Sequence, residues 1–235
     1  MNLKPTTLSI IMAFLCLVFS STTTLGQTFG TVSSAVWLTD CNQSNFFNTT
    51  GSGANLIGPA GNVFDNTSLG VHTQNSGTLT LGGAEVRTSK VVVANVCSAR
   101  MYYRIYLQSG VPGAFTTVNL PLSDNCDIPS SQFPSGGSCA TGDQKWNFMI
   151  PAPVNLTSYT PGNYVLEVYY DIAGSSTSTT LCDETVVLNN GGVNYKASFS
   201  IQSPILASNN PTTCNGTEGL ITISGLVAGA TYAVS

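Results

Sequence analysis

Residues 99–108 read Ala99-Arg100-Met101-Tyr102-Tyr103-Arg104-Ile105-Tyr106-Leu107-Gln108. The odd positions, Ala99 through Leu107, are apolar. The even ones are Arg100, Tyr102, Arg104, Tyr106 and Gln108. A period of two is the mark of a β-strand with one face on a core and the other turned away from it. This strand therefore has a polar-aromatic outer face, and the fold class follows from finding its partners.

Two other stretches repeat the pattern. In Tyr164–Ile172 the inward set is Tyr164, Leu166, Val168, Tyr170 and Ile172, with Glu167, Tyr169 and Asp171 facing the other way. Further on, Tyr195, Ala197, Phe199 and Ile201 alternate with Lys196, Ser198 and Ser200. Shorter strands are expected at Ala35–Thr39, Thr78–Leu81, Ala84–Thr88, Val91–Cys97 and Phe115–Leu120, with Gly82-Gly83 as a hairpin or a bulge. Pro112-Gly113, Pro161-Gly162 and Asn190-Gly191-Gly192 supply turns. Short strands, frequent turns and no helical period predict an all-β protein, an immunoglobulin/fibronectin-like or jelly-roll-like β-sandwich. In Leu156 to Leu166 a leucine, a Pro-Gly corner and Tyr164 at the start of an alternating strand match a tyrosine corner. Leu226, Gly229 and Tyr232 repeat the design in the tail.

The ends divide the chain into three. Residues 1–26 read as a secretory signal peptide: Lys4 is the positive start, Ile10 to Phe19 an apolar run, and Ser20 to Gly26 a small polar cleavage region. The run is too short to span a bilayer. Residues 27–202 form the β-sandwich module. Residues 203–235 read as the truncated start of a second, Ig-like β-module. They are too few to bury a core alone, so the chain is expected to be the front of a longer multi-module protein.

Composition narrows the partners. Only 8% of residues are charged and the formal net charge is −4. That disfavours nucleic acid, which requires a basic surface. No basic amphipathic helix points to a membrane surface. Six of the seven cysteines follow the leader, and export implies disulfides. Cys126 and Cys139 bracket a Pro/Ser/Gly-rich loop and are expected to pair, at a gain on the order of 3 kcal/mol. The pairing of Cys41, Cys97, Cys182 and Cys214 stays open. If Cys214 pairs beyond Ser235, one thiol of the first module is left over.

Asn209–Ser235 resembles the start of Ig-like repeats in large exported surface proteins of gliding Bacteroidota. The residues that carry the likeness are Asn210-Pro211-Thr212-Thr213-Cys214-Asn215-Gly216-Thr217-Glu218-Gly219, Ile221, Ile223, Gly225-Leu226, Gly229 and Tyr232. The first module resembles an N-terminal β-module of the same proteins in Val91–Leu107, Gly142–Trp146, Asn155–Tyr170 and Asn194–Phe199. The resemblance implies export by type IX secretion and an adhesin-like surface role. It does not imply a ligand.

Chemistry is sparse. The single histidine, His72, would have to serve any triad, and it reads better as a lone surface residue. No nucleophile elbow, zinc spacing or phosphate loop occurs. No cofactor is implied. Calcium is the one ion the acidic turns could take, at Asp124, Asn125 and Asp127 or, second, at Asp183-Glu184. Glu167 and Asp171 sit about 13 Å apart along one strand, too far for a pair of glycosidase carboxylates. The outer face carries the one candidate ligand site. If the strands neighbour each other, Tyr102, Arg104, Tyr106, Glu167 and Tyr169 could present tyrosines and hydrogen-bonding groups to a sugar, with Trp146 either a further aromatic or part of the core. The competing expectation is a cross-strand ladder that satisfies itself. The chain is thus expected to be a non-catalytic extracellular module of a secreted or surface-displayed adhesin, with extracellular glycans and its own neighbouring modules as partners. A carbohydrate-binding accessory module of an exported polysaccharide-degrading enzyme is the alternative. If the sugar expectation holds, Tyr102→Ala and Tyr106→Ala keep the fold and lose glycan retention.

Overall fold

The computed structural model describes residues 28–41, 43–50, 62–127, 140–209 and 220–224. The leader, Cys139 and Cys214 lie outside them, as does the second tyrosine-corner sequence. In chain order the strands are β1 (Phe29–Asp40), β2 (Gln43–Thr50), β3 (Ser68–Thr73), β4 (Leu79–Lys90), β5 (Asn95–Leu107), β6 (Thr116–Leu120), β7 (Leu122–Asn125), β8 (Gln144–Asn155), β9 (Gly162–Ser175), β10 (Glu184–Leu188), β11 (Tyr195–Gln202), β12 (Ile205–Asn209) and β13 (Leu220–Ser224).

The first eleven build a sandwich. One sheet has the order β2-β1-β4-β8-β7. The other runs β3-β11-β9-β5-β6, with β10 also on β9. The run β1-β4-β8-β7 against β11-β9-β5 is the strand order of an immunoglobulin sandwich rather than a jelly roll. All ladders of the sandwich are antiparallel except β3 with β11. β9 is long enough to hold two partners on one side: β11 along Gly162–Val168 and β10 along Tyr170–Gly174. β12 and β13 form a separate two-stranded sheet.

The alternating strands bury what their pattern predicts. Tyr164, Leu166, Val168, Tyr170 and Ile172 of β9, and Tyr195, Ala197, Phe199 and Ile201 of β11, are all buried. Ala99 and Met101 of β5 are buried too, while Leu107 at its end is exposed. Leu38, Leu81, Val86 and Trp146 close the core from the other sheet. The tyrosine corner is in place: the Tyr164 hydroxyl donates to the Thr160 carbonyl at 2.8 Å. It follows a 3-10 turn at Leu156–Ser158 in which the Thr157 amide donates to the Asn155 side chain at 2.9 Å.

Three expectations change. Thr78–Leu81 and Ala84–Thr88 belong to one strand, β4, and Gly82-Gly83 is a bulge within it, where the register slips against both β1 and β8. Val91–Cys97 is not one strand. Ala94 closes a turn onto Val91 at 2.9 Å, and Val91, Val92 and Val93 are exposed where the chain crosses between sheets; the crossing overrides their β-propensity. His72 is not on the surface. It is buried, with Nδ1 3.1 Å from Thr78 Oγ1 and Nε2 2.8 Å from the Leu69 carbonyl.

Gly83 shows why the bulge needs glycine. Its φ is +150°, and a Cβ would stand 2.1 Å from the Phe148 carbonyl oxygen. An alanine must push the β8 backbone away and adopt a conformation L residues avoid. Gly83→Ala should cost about 2 kcal/mol or more. Urea denaturation would measure it, and a loss below about 0.5 kcal/mol would show that the ladder yields easily.

Cys97 and Cys182 form a disulfide. Cys126 is disulfide-bonded, and its expected partner, Cys139, lies outside the described residues. Among the described residues Cys41 is a free, exposed thiol.

Candidate functional site

β5 and β9 are neighbours, so the two outer rows meet. The register sets Arg100 opposite Asp171, Tyr102 opposite Tyr169 and Arg104 opposite Glu167. Each arginine takes its carboxylate with two nitrogens. Arg100 Nε and Nη2 lie 2.8 and 2.6 Å from the Asp171 oxygens. Arg104 Nε and Nη2 lie 3.1 and 2.9 Å from those of Glu167. The tyrosines finish the pattern: the Tyr102 hydroxyl donates to Asp171 at 2.9 Å and that of Tyr106 to Glu167 at 2.8 Å. Such forked, charge-assisted bonds are the strong class of hydrogen bond.

Two residues from connecting segments complete this face, and neither stood out in the sequence. Asn194, just before β11, donates to Glu167 at 2.6 Å. Phe115, just before β6, meets Tyr169 at 4.8 Å almost at right angles, and the Arg104 guanidinium lies 4.2 Å from its ring centre. Asn194 lies in a turn with no alternation, and Phe115, expected to open a strand, lies just before β6 (Thr116–Leu120), so neither had a face assigned to it.

The rings are largely spent on each other. Tyr102 and Tyr169 stack with centroids 4.5 Å apart and planes 1° from parallel, and Arg100 lies over Tyr102 at 5.6 Å. Faces turned to one another are not open to a pyranose. Glu167 is fully buried although it lies on the outer row. These features fit the self-satisfied ladder. Trp146 is not part of the face. It sits on β8 in the opposite sheet, buried in the core, with Nε1 donating to Thr88 Oγ1 at 3.0 Å.

Titration follows the geometry. Burial raises the Tyr106 hydroxyl, and its bond to Glu167 raises it further, up to about 12. Burial alone would raise Glu167. The hydrogen bonds from Asn194, Tyr106 and Arg104 together outweigh it and hold the carboxyl below its ordinary value of 4.5. Folded Glu167 thus resists a proton that the unfolded chain accepts near pH 4.5. Its contribution is complete above that pH and is lost as pH falls through the folded value. The stability gap between the parent and Glu167→Gln should therefore narrow as pH falls below about 4.5. Thermal melts between pH 7 and pH 3 measure it, and a constant gap would remove Glu167 from the acid response.

The calcium candidates are occupied with turn-making. Asp124 accepts from the Asn125 amide at 2.8 Å, Asn125 from that of Asp127 at 3.0 Å, and Asp127 from that of Gly142 at 2.8 Å. Glu184 accepts from the Ser176 amide at 2.9 Å. Among the described residues no group of three or more His, Cys, Asp or Glu side chains is gathered for a metal.

Neither a known protein family nor a curated protein matches this sequence. Among the described residues no helix is long and apolar enough to cross a membrane.

Proposed function

We propose that this chain is a non-catalytic extracellular module of an exported, adhesin-like multi-module protein. Its place would be in the medium or on the outer face of the outer membrane of a gliding bacterium of the Bacteroidota, reached by type IX secretion. The observation that supports this best is the path of the chain through the sandwich. Phe29 pairs with Lys90 at the end where β4 turns into β5, and Ile201 pairs with Gly162 at the opposite end of β9. A module entered at one end and left at the other fits a linear array. Its role there is passive, a stiff unit that holds a binding surface away from the cell.

Antibodies against the module, applied to intact cells, test the placement. Attachment of cells lacking the gene tests the role. Staining only after lysis, or unchanged attachment, would overturn the proposal. A second reading, a carbohydrate-binding accessory module of an exported polysaccharide-degrading enzyme, draws on the half-exposed aromatic pair Trp37 and Phe46 on the other sheet.

A further inference from the structure

We infer that the outer face of the β2-β1-β4-β8 sheet holds a saccharide-binding trench built on Trp37, Phe46 and Met149. This rests on the reading of the chain as a binding module. Val36 and Leu38 are buried in the core, so Trp37 between them points outward. Across the sheet the ladder places Phe46, Trp37, Gly83 and Met149 in one row. Trp37, Phe46 and Met149 look out, while at the bulge the Gly83 position faces the β8 backbone, where a Cβ would stand 2.1 Å from the Phe148 carbonyl oxygen.

The middle of that row has no side chain. Gly83 lies between Trp37 and Met149, and the indole of Trp37 leans over Gly82, where a Cβ would stand 3.4 Å from Cδ2. Phe46 lies nearly parallel to Trp37, 12° apart in plane and offset to 5.8 Å between centroids. The result is a gap at Gly83 with two offset-stacked aromatic rings on one side, the indole covering Gly82, and Met149, 54% exposed, on the other. Trp37 Nε1 is buried without a hydrogen-bond partner, so packing alone orients the ring, and only its carbon surface is offered to a ligand.

The chemistry of this row differs from that of the tyrosine ladder. Tyr102 and Tyr169 overlap closely at 4.5 Å and are tied to arginines and carboxylates. Trp37 and Phe46 overlap less and have no charged partner in their row. The hydroxyls of Thr39 and Ser44, 3.2 Å apart, face each other two register steps from the Trp37–Phe46 pair on the same two strands. Half-buried aromatic rings beside neutral hydroxyls suit a ligand with an apolar C–H face and hydroxyl edges, which is a pyranose. With 8% charged residues in the chain and none in the row, a neutral polysaccharide fits better than a charged one. A protein loop inserted into the trench is the competing occupant.

Trp37 is also a reporter. The chain has two tryptophans, and Trp146 is buried in the core. The purified, oxidised chain would be titrated with cellohexaose, xylohexaose, mannohexaose and laminarihexaose while following tryptophan emission. The expected result is a saturable change with at least one sugar, and a tenfold or greater loss of affinity, read by calorimetry, in Trp37→Ala. Phe46→Ala, on an edge strand, serves should Trp37→Ala not fold. No saturation with any of the sugars would overturn the inference and leave the protein occupant. Binding kept within twofold in both variants would overturn it as well. Either failure leaves the cell-attachment test to decide the display role independently.

Discussion

Replacing Cys97 and Cys182 together with serine should lower the stability of the oxidised protein by about 4–5 kcal/mol. The bridge joins residues 85 apart in sequence, and closing a loop of that length removes much of the freedom of the unfolded chain. In the folded state it links the start of β5 to the stretch between β9 and β10. That stretch makes no sheet pairing of its own. Besides local turns, the Leu181 carbonyl accepts from Asn95 Nδ2 at 3.4 Å and the Ser176 carbonyl from the Thr28 hydroxyl at 2.9 Å, a small set of bonds for the bridge to reinforce. The melting temperature should fall by roughly 10–20 °C. Urea denaturation of the oxidised parent and the double variant measures the difference, and dithiothreitol, which also opens the bridge at Cys126, should bring parent and variant to nearly the same lower stability. A loss below about 1 kcal/mol would mean that the unfolded chain is already compact around this link.

The fold was legible where a strand buries one whole face. β9 and β11 write their burial into the sequence, because every second residue meets the core. β2 does not. It is an edge strand rich in Asn, Ser and Thr with both sides partly exposed, so no period of two survives. β8 hides for a different reason. Its register jumps from Met149 opposite Gly83 to Val154 opposite Leu81, so Ile150–Pro153 bow out of the ladder. Pro151 and Pro153 have no amide to give, and a bulge is where a strand tolerates them. A run of Val91, Val92 and Val93 looks like a strand by propensity, yet the crossing between sheets claims it. Local preference is weak against a connection that the topology requires.

The ladder was half legible. Alternation alone places Arg100, Tyr102 and Arg104 on one face, and Glu167, Tyr169 and Asp171 on another. What neither strand records is that they are neighbours, nor by what register. The alternation of Trp37 between Val36 and Leu38 was open to the same reading. Its meaning depends on Gly82 and Gly83, more than forty positions away in the sequence, so it emerges only when β1 and β4 are paired. Trp146 was open to either reading, face or core, because no strand was legible around it to say which side it takes.

Arg104→Met should destabilise the protein by about 2–4 kcal/mol, below the full cost of breaking a buried pair because the Arg104 side chain is 22% exposed. The loss comes less from the missing attraction than from the partner left behind. The Glu167 side chain is 2% exposed, and without Arg104 it keeps only Tyr106 and Asn194 as donors. Two neutral donors do not repay the desolvation of a carboxylate. The variant should therefore take up a proton at Glu167 more readily, and its stability should depend less steeply on acid than that of the parent. Phe115 loses the guanidinium beneath its ring at the same time, and methionine, with a similar stem and a polarisable sulfur, replaces part of that contact. The decisive comparison is the double variant Arg104→Met/Glu167→Leu. Removing both charges takes away the desolvation cost together with the attraction, and half-buried Tyr106 and Asn194 can turn to water. The double variant should recover most of the loss, giving a coupling of about 2 kcal/mol in a double-mutant cycle. If the two losses simply add, the pair is not acting as a unit, and the strength of the β5–β9 seam must lie in its backbone ladder and the Tyr102–Tyr169 stack.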